Sequence, residues 1–286
     1  MILVTGATGS VGSDLLPLLV HGGASLRAVA HSPAGRSKIE GLGLEASEGD
    51  FDEPDSLERA MEGCDRLFLL SPTHPDLPRR EKAAIDAARR AGVSHVVKVS
   101  TTGADVESPC SLLSRHGEVE GHLIASGLGY TILRPACYMH VHLLPVHTVG
   151  ANGTWYGMTG DGPHAYIDTG DVASVAAAVL TTPGQEGKIY ELTGPQAITM
   201  PEAAAQLSQV IGSSVAYVDL AADQFGSNLV GVGLPDWLAE GIVALYQIIR
   251  GGHLATVTGF VTELTGRPPR AYGEFAEAHK EAFPPS

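Results

Sequence analysis

The chain has 286 residues, 18 Lys and Arg against 32 Asp and Glu, and a formal net charge of −14. That acidic excess excludes nucleic acid as the main ligand, because phosphate neutralisation depends on Lys and Arg. Only five of the cations are Lys, so a polybasic membrane patch is not expected either. A hydrophobic fraction of 44% with 17% charged residues describes a globular chain able to bury a large core. Cys64, Cys110 and Cys137 form no CxxC spacing. Neither a disulfide framework nor a four-thiolate zinc site follows from them, and a reducing, cytoplasmic setting is expected. No apolar run reaches the roughly 18–20 residues of a membrane span. With a first strand starting at Ile2, no signal peptide is expected.

In chain order, Met1–Val4 reads as a buried strand and Ser10–Val20 as a helix, which Pro17 should kink or end early. Leu26–Ala30, Leu44–Ala46, Arg66–Leu70, His95–Val99, Tyr130–Leu133 and Ile189–Leu192 follow as short apolar or β-branched runs. Helix-like segments separate them, and Asp52-Glu53-Pro54-Asp55 is typical of a first helical turn. This rhythm predicts an α/β fold with a doubly wound parallel sheet. After Tyr138 it changes. Residues 138–165 read as a loop region with a short strand near Thr154–Tyr156. Helices are expected over Asp171–Thr182, Pro201–Ile211 and Pro235–Ile249. The division that follows is a main unit from 1–137 plus 166–194, and a smaller α+β lobe from 138–165 plus 195–286.

The strongest motif is Thr5-Gly6-Ala7-Thr8-Gly9-Ser10-Val11-Gly12, between the first strand and the first helix. Gly6 suits a tight turn, Gly9 a close backbone approach to a pyrophosphate, and Gly12 tight helix-to-sheet packing. The N–H groups of Ser10 and Val11 at the helix start, with the Thr8 side chain, would meet the anion. At the end of the second strand an Asp or Glu would mark NAD. Here the residues are Ala30-His31-Ser32-Pro33-Ala34-Gly35-Arg36-Ser37-Lys38, with no acid. His31 and Arg36 therefore suggest a 2′-phosphate, hence NADP rather than NAD, although Arg36 and Lys38 are equally readable as solvated helix-start residues. Asp50 could accept the adenine amino group with Phe51 beside the ring, or simply begin the next helix. Ser71-Pro72-Thr73 lies past the fourth strand, where open α/β sheets bind ligands.

Taken together, the glycine motif, Asp50-Phe51, Ser100-Thr101 and Tyr130-Thr131-Ile132-Leu133-Arg134-Pro135 resemble the NmrA-like atypical short-chain dehydrogenase/reductases. Asp171-Val172-Ala173, Tyr190 to Pro195 and Leu264 to Pro269 extend the resemblance over nearly the whole chain, and it points towards the bacterial quinone oxidoreductases of that family. It implies an NAD(P)-binding Rossmann domain, a smaller substrate lobe, and a nicotinamide near the fifth and sixth strand ends. Pro135, Ala136 and Cys137 would wall that ring. Ser100 and Thr101 would be hydroxyl donors, and Tyr138 or His140 could reach a substrate oxygen.

The chain departs from the wider family in its acid–base residues. No Tyr is followed by Lys four positions later, and the stretch His116-Gly117-Glu118-Val119-Glu120-Gly121-His122 has Gly where many family members carry a Lys before the sixth strand. Reduction of a quinone survives that loss, because hydride addition yields a phenolate that is already a stable anion. Trp155, Tyr156, Phe225 and Trp237 could serve an aromatic substrate or simply pack. His140-x-His142, with His147 and His164, lacks an acid or Cys to complete a metal set, so no metal is expected. The resulting expectation is an NAD(P)H-dependent reductase of a small quinone or related aromatic or polyketide carbonyl, with a biosynthetic role open. A homodimer or a protein partner is also left open. The alternative is a non-catalytic redox sensor that binds dinucleotide and regulates a partner.

Overall fold

The computed structural model describes residues 1–283. Strands β1 (Ile2–Val4), β2 (Leu26–Ala30), β3 (Glu45–Glu48), β4 (Arg66–Leu69), β5 (His95–Val99) and β6 (Gly129–Pro135) build one parallel sheet. With β8 (Lys188–Leu192) added beside β6, the order is β3-β2-β1-β4-β5-β6-β8. The direction of winding reverses between β1 and β4, which opens a crevice past their carboxyl ends.

Alternation along the strands sorts side chains onto two helical layers. Ile2 and Val4 of β1, with Val97 and Val99 of β5, join a core under α1 (Ser10–His21) and α7 (Thr169–Thr181). Leu3 and Val96 face the opposite core, formed with α3 (Pro54–Met61), α4 (Leu77–Arg90) and α5 (Ser111–Ala125). Fully buried residues such as Leu15, Leu19, Leu57 and Ile85 each contribute roughly 1.5–3 kcal/mol by leaving water. Lys98 also lies on the α4–α5 side by the same alternation, and it is wholly buried.

The remaining helices are α2 (Pro33–Gly41), α6 (Val146–Asn152), α8 (Met200–Ile211), α9 (Ala222–Gly231), α10 (Asp236–Arg250), α11 (Phe260–Thr265) and α12 (Tyr272–Ala278). β7 (Thr154–Gly157) pairs in parallel with β9 (Ala216–Asp219), a strand the sequence did not announce. Met139, Trp155, Tyr166, Leu207 and Phe275 share a third core beneath these elements.

Several expectations change. Pro17 does not end α1, which continues to His21, packed closely on α7. That burial holds the last turn despite the lost N–H. The expected loop after Tyr138 contains a 3-10 turn over Met139–Leu143, then α6. The segment of α11, assigned to the smaller lobe, inserts Val261 into the first core against α7 and β8.

Candidate active site

Thr5 ties the strand ends together at the crevice. Its hydroxyl lies 3.0 Å from the carbonyls of Phe68 and Leu70 and accepts the Leu70 N–H at 2.9 Å. Gly6 then turns the chain with φ +62°, a left-handed conformation that favours glycine. A Cβ there would meet the Leu70 carbonyl at 2.8 Å, and one at Gly12 would stand 2.2 Å from the Gly6 carbonyl. Gly12 therefore packs against the loop's own backbone at Gly6 and Ala7. Gly9 is different, since its Cβ would meet only the Gly6 oxygen at 3.4 Å. Gly9 caps α1 with no side-chain hydrogen bond and no acid follows in the first turn, so no side chain satisfies the helix-start N–H groups. This cradle fits a pyrophosphate.

Two openings lie past the carboxyl ends of the strands. The first, about 540 Å³, is lined by His31, Arg36, Glu48, Asp50 and Arg59 at the ends of β2 and β3. Arg36 is already engaged: it donates to the Ala46 carbonyl at 2.9 Å and lies 3.5 Å from Glu48 and 3.7 Å from Glu40. His31 is 79% exposed, with Nδ1 3.7 Å from Asp50. Asp50 accepts the Asp52 N–H at 2.8 Å, so it also shapes its own turn. Phe51 packs into the second core and does not line this opening. Arg59, on α3, was not anticipated; its sequence context is that of an ordinary exposed helix residue.

The second opening is a cleft of about 530 Å³. One side is Gly6, Thr8, Gly9, Ser10 and Val11, and the floor is Ser71, Pro72 and Thr73 with Glu81. The far wall combines Ser100, Thr101 and His116 with Pro135, Ala136, Cys137 and Tyr138. Most of the predicted cofactor and catalytic residues thus converge in one place. Ser100 is not a free donor, because its hydroxyl proton points to Glu120, which Arg134 grips at 2.6 and 3.0 Å. Burial pushes the Cys137 thiol up to about 12, so it is an inert wall. The Tyr138 hydroxyl is likewise pushed far up by burial.

His140 is elsewhere. It packs edge-on against Phe275 and His279 at 5.2 and 5.4 Å and does not line the cleft, because the 3-10 turn rotates it towards α12. His142 is enclosed by Trp155, Tyr166 and Tyr272, so the pair does not share an extended face. Trp155 is core, Phe225 stacks on Tyr246 at 5.5 Å, and Trp237 lies beneath Arg115 at 5.0 Å. Tyr156 is 39% exposed. None of these four aromatics lines the cleft.

Two features escaped the sequence. His164 accepts the Cys137 N–H at 3.0 Å and donates through Nδ1 to the Leu254 carbonyl at 2.9 Å, which anchors the cleft wall. Beneath the floor, Lys98 donates to Glu81 at 2.6 Å with both side chains sealed from water, and Glu81 accepts the Ser71 hydroxyl at 2.7 Å. Neither contact has a short-range signal, since the partners lie on different elements.

A family described as NAD(P)H-binding matches residues 6–183. The chain is 36% identical to the NAD(P)H azoreductase of Xenophilus azovorans over 99% of each chain. It superimposes on the NADPH complex of the Escherichia coli quinone oxidoreductase QOR2 with a TM-score of 0.90, at 31% identity, over 97% of this chain and 99% of that one. The chain belongs to the NmrA-like atypical short-chain dehydrogenase/reductases. A further solved structure of similar shape is the Citrobacter triphenylmethane reductase in complex with NADP(H), at 28% identity and a TM-score of 0.89, over 98% of this chain and 100% of that one. As a family member close to the bacterial quinone oxidoreductases, the chain has an NAD(P)H cofactor and the class of an oxidoreductase. In the bound state the Gly6–Val11 loop would hold the pyrophosphate and the Pro135–Tyr138 wall the nicotinamide, which supplies the hydride. Among the described residues no helix is long and apolar enough to cross a membrane.

Proposed function

We propose that this protein uses NADPH, in preference to NADH, to reduce a quinone or a related conjugated aromatic or polyketide carbonyl. The observation that carries the reading is the cleft itself. The glycine loop and the Pro135–Tyr138 segment, which we assign to the phosphates and the nicotinamide, meet beside hydroxyl and imidazole groups, and no Tyr in the sequence is followed by Lys four positions later. A Cβ at Gly117 would lie 2.4 Å from the Val106 nitrogen, so a side chain there requires the backbone to shift. Acceptors whose reduced form is a stable anion suit such a site, and the azoreductase and quinone oxidoreductase named among the relatives agree with it. Ser10, Thr101 and Tyr138 are the open polar groups we assign to cofactor and substrate, and Ser100 holds Glu120 in place.

The preference for NADPH rests on His31, Arg36 and Arg59 around the adenosine opening, with no acid in the β2 end segment. The test is oxidation of NADPH and NADH, followed by absorbance, against menadione, polycyclic quinones and azo dyes. Turnover with menadione is expected. Tight cofactor binding with no oxidation by any acceptor would overturn the reductase reading in favour of a sensor. Equal or tighter NADH binding would overturn the preference.

A further inference from the structure

The geometry points to His116 as a catalytic hydrogen-bond donor to the substrate oxygen that gains charge in hydride transfer, with Lys98 and Glu81 as the positioning residues that set its tautomer. This rests on the reductase reading above. His116 projects from α5 into the cleft beside Ser100 and Thr101. Behind it, the Lys98 ammonium has three N–H bonds and three acceptors: Glu81 Oε2 at 2.6 Å, the Val99 carbonyl at 2.9 Å and His116 Nδ1 at 3.4 Å. An ammonium has no lone pair, so Nδ1 must accept. A neutral ring accepting at Nδ1 carries its proton on Nε2. That nitrogen has no protein partner among the described residues, and the ring lines the cleft.

The rest of the network is closed. Glu81 uses its second oxygen to accept the Ser71 hydroxyl at 2.7 Å, and the Lys98 and Glu81 side chains are 0% and 1% exposed. Nothing in it competes for Nε2. Burial, then the Lys98 charge, hold the imidazolium of His116 far below its usual range, so the ring is a neutral donor near pH 7. A neutral imidazole stabilises a developing oxyanion without surrendering its proton. The balance is then complete. With NADPH bound, the nicotinamide C4–H bond would break and its hydride would end on one quinone oxygen as O–H, while the other oxygen, now a phenolate, would accept from Nε2–H of His116. A solvent water would then protonate it to the hydroquinone and leave hydroxide to the solvent.

The test uses the whole protein with NADP(H). Long-range ¹H–¹⁵N spectra of histidine-labelled protein, with His116 assigned by its loss in His116→Gln, should show a neutral Nε2–H tautomer near pH 7. Its Nε2 signal should shift when NADP⁺ and a naphthol are added together. Lys98→Met combined with Glu81→Gln should let the Nδ1–H tautomer appear. With NADPH and menadione, His116→Phe should lower kcat roughly 10²-fold with NADPH affinity unchanged, and His116→Gln, which retains an N–H, should recover part of it. An imidazolium or Nδ1–H form in the wild type, or no naphthol response, would overturn the assignment, as would an unchanged kcat in His116→Phe. If the wild type reduces no acceptor, the reductase reading fails by that result alone, while the tautomer and naphthol shifts still decide His116.

Discussion

Gly9 and Gly12 look alike in the motif but answer to different forces. A side chain at Gly12 collides with the loop's own backbone, whereas a Cβ at Gly9 would meet only the Gly6 oxygen at 3.4 Å and would crowd the pyrophosphate we assign to the loop. Gly9→Ala should therefore keep its melting temperature while losing at least about tenfold in NADPH affinity, or ~1.4 kcal/mol. Gly12→Ala should lose stability first, and thermal melts beside fluorescence titrations separate the two. Glu48 and Glu40 share the guanidinium of Arg36. Glu48→Gln should free it and raise NADPH affinity relative to NADH about two- to threefold, a modest gain because the pair is exposed. His142 has both ring nitrogens sealed without a hydrogen-bond partner among the described residues. His142→Phe should leave the protein equally stable or ~1 kcal/mol more stable in urea unfolding, because an unsatisfied buried polar group is removed. The glycine loop was legible in sequence because its tasks are local backbone tasks. His142 was not, since its enclosure by Trp155, Tyr166 and Tyr272 depends on three separate segments.

Elements were legible where period and termini agreed. α3 begins with Pro54 as read, and β1, β2, β4, β5 and β6 fall on their apolar runs, whereas β3 is the largely polar Glu45–Glu48, displaced from the expected Leu44–Ala46. The turn after Tyr138 was not, because its helical pieces are only a few residues long and hold their shape by packing under α8 and α12. β5 shows the limit most clearly. His95-Val96-Val97-Lys98-Val99 reads as a buried strand, and it is one, yet the period places a lysine in the core. The compensating carboxylate comes from α4. Lys98→Met alone should cost about 3–5 kcal/mol, since it strands a buried charge on Glu81. The double change Lys98→Met with Glu81→Gln should recover most of that in urea unfolding, and no recovery would mean the pair is not coupled.

Over the whole molecule, charge and burial set how the protein responds to solution conditions. The net charge of −14 repels an anionic dinucleotide at long range, while binding relies on contacts at the α1 start. Screening the repulsion should raise the NADPH association rate as salt increases from low ionic strength, and a falling rate in stopped-flow fluorescence would contradict this. His142 and His164 are held down to about 3 and about 4 by burial, against about 6.5 in an unfolded chain. Below about pH 6.5 the unfolded state binds protons that the folded state refuses. Stability is thus full above that pH and falls towards pH 4, by up to roughly 1.4 kcal/mol per pH unit for each histidine, as urea titrations at stepped pH would show. The sequence by itself determined the parallel sheet, the glycine loop between β1 and α1 and most residues of the cleft, because strand period, glycine placement and the strand-end rule are read along the chain. Only the tertiary structure decided that His140 faces away, that Ser100 is tied to Glu120, and that Lys98, Glu81 and His116 meet under the cleft. A buried charge is tolerated only beside its partner, and that partner is chosen by packing across elements far apart in the chain.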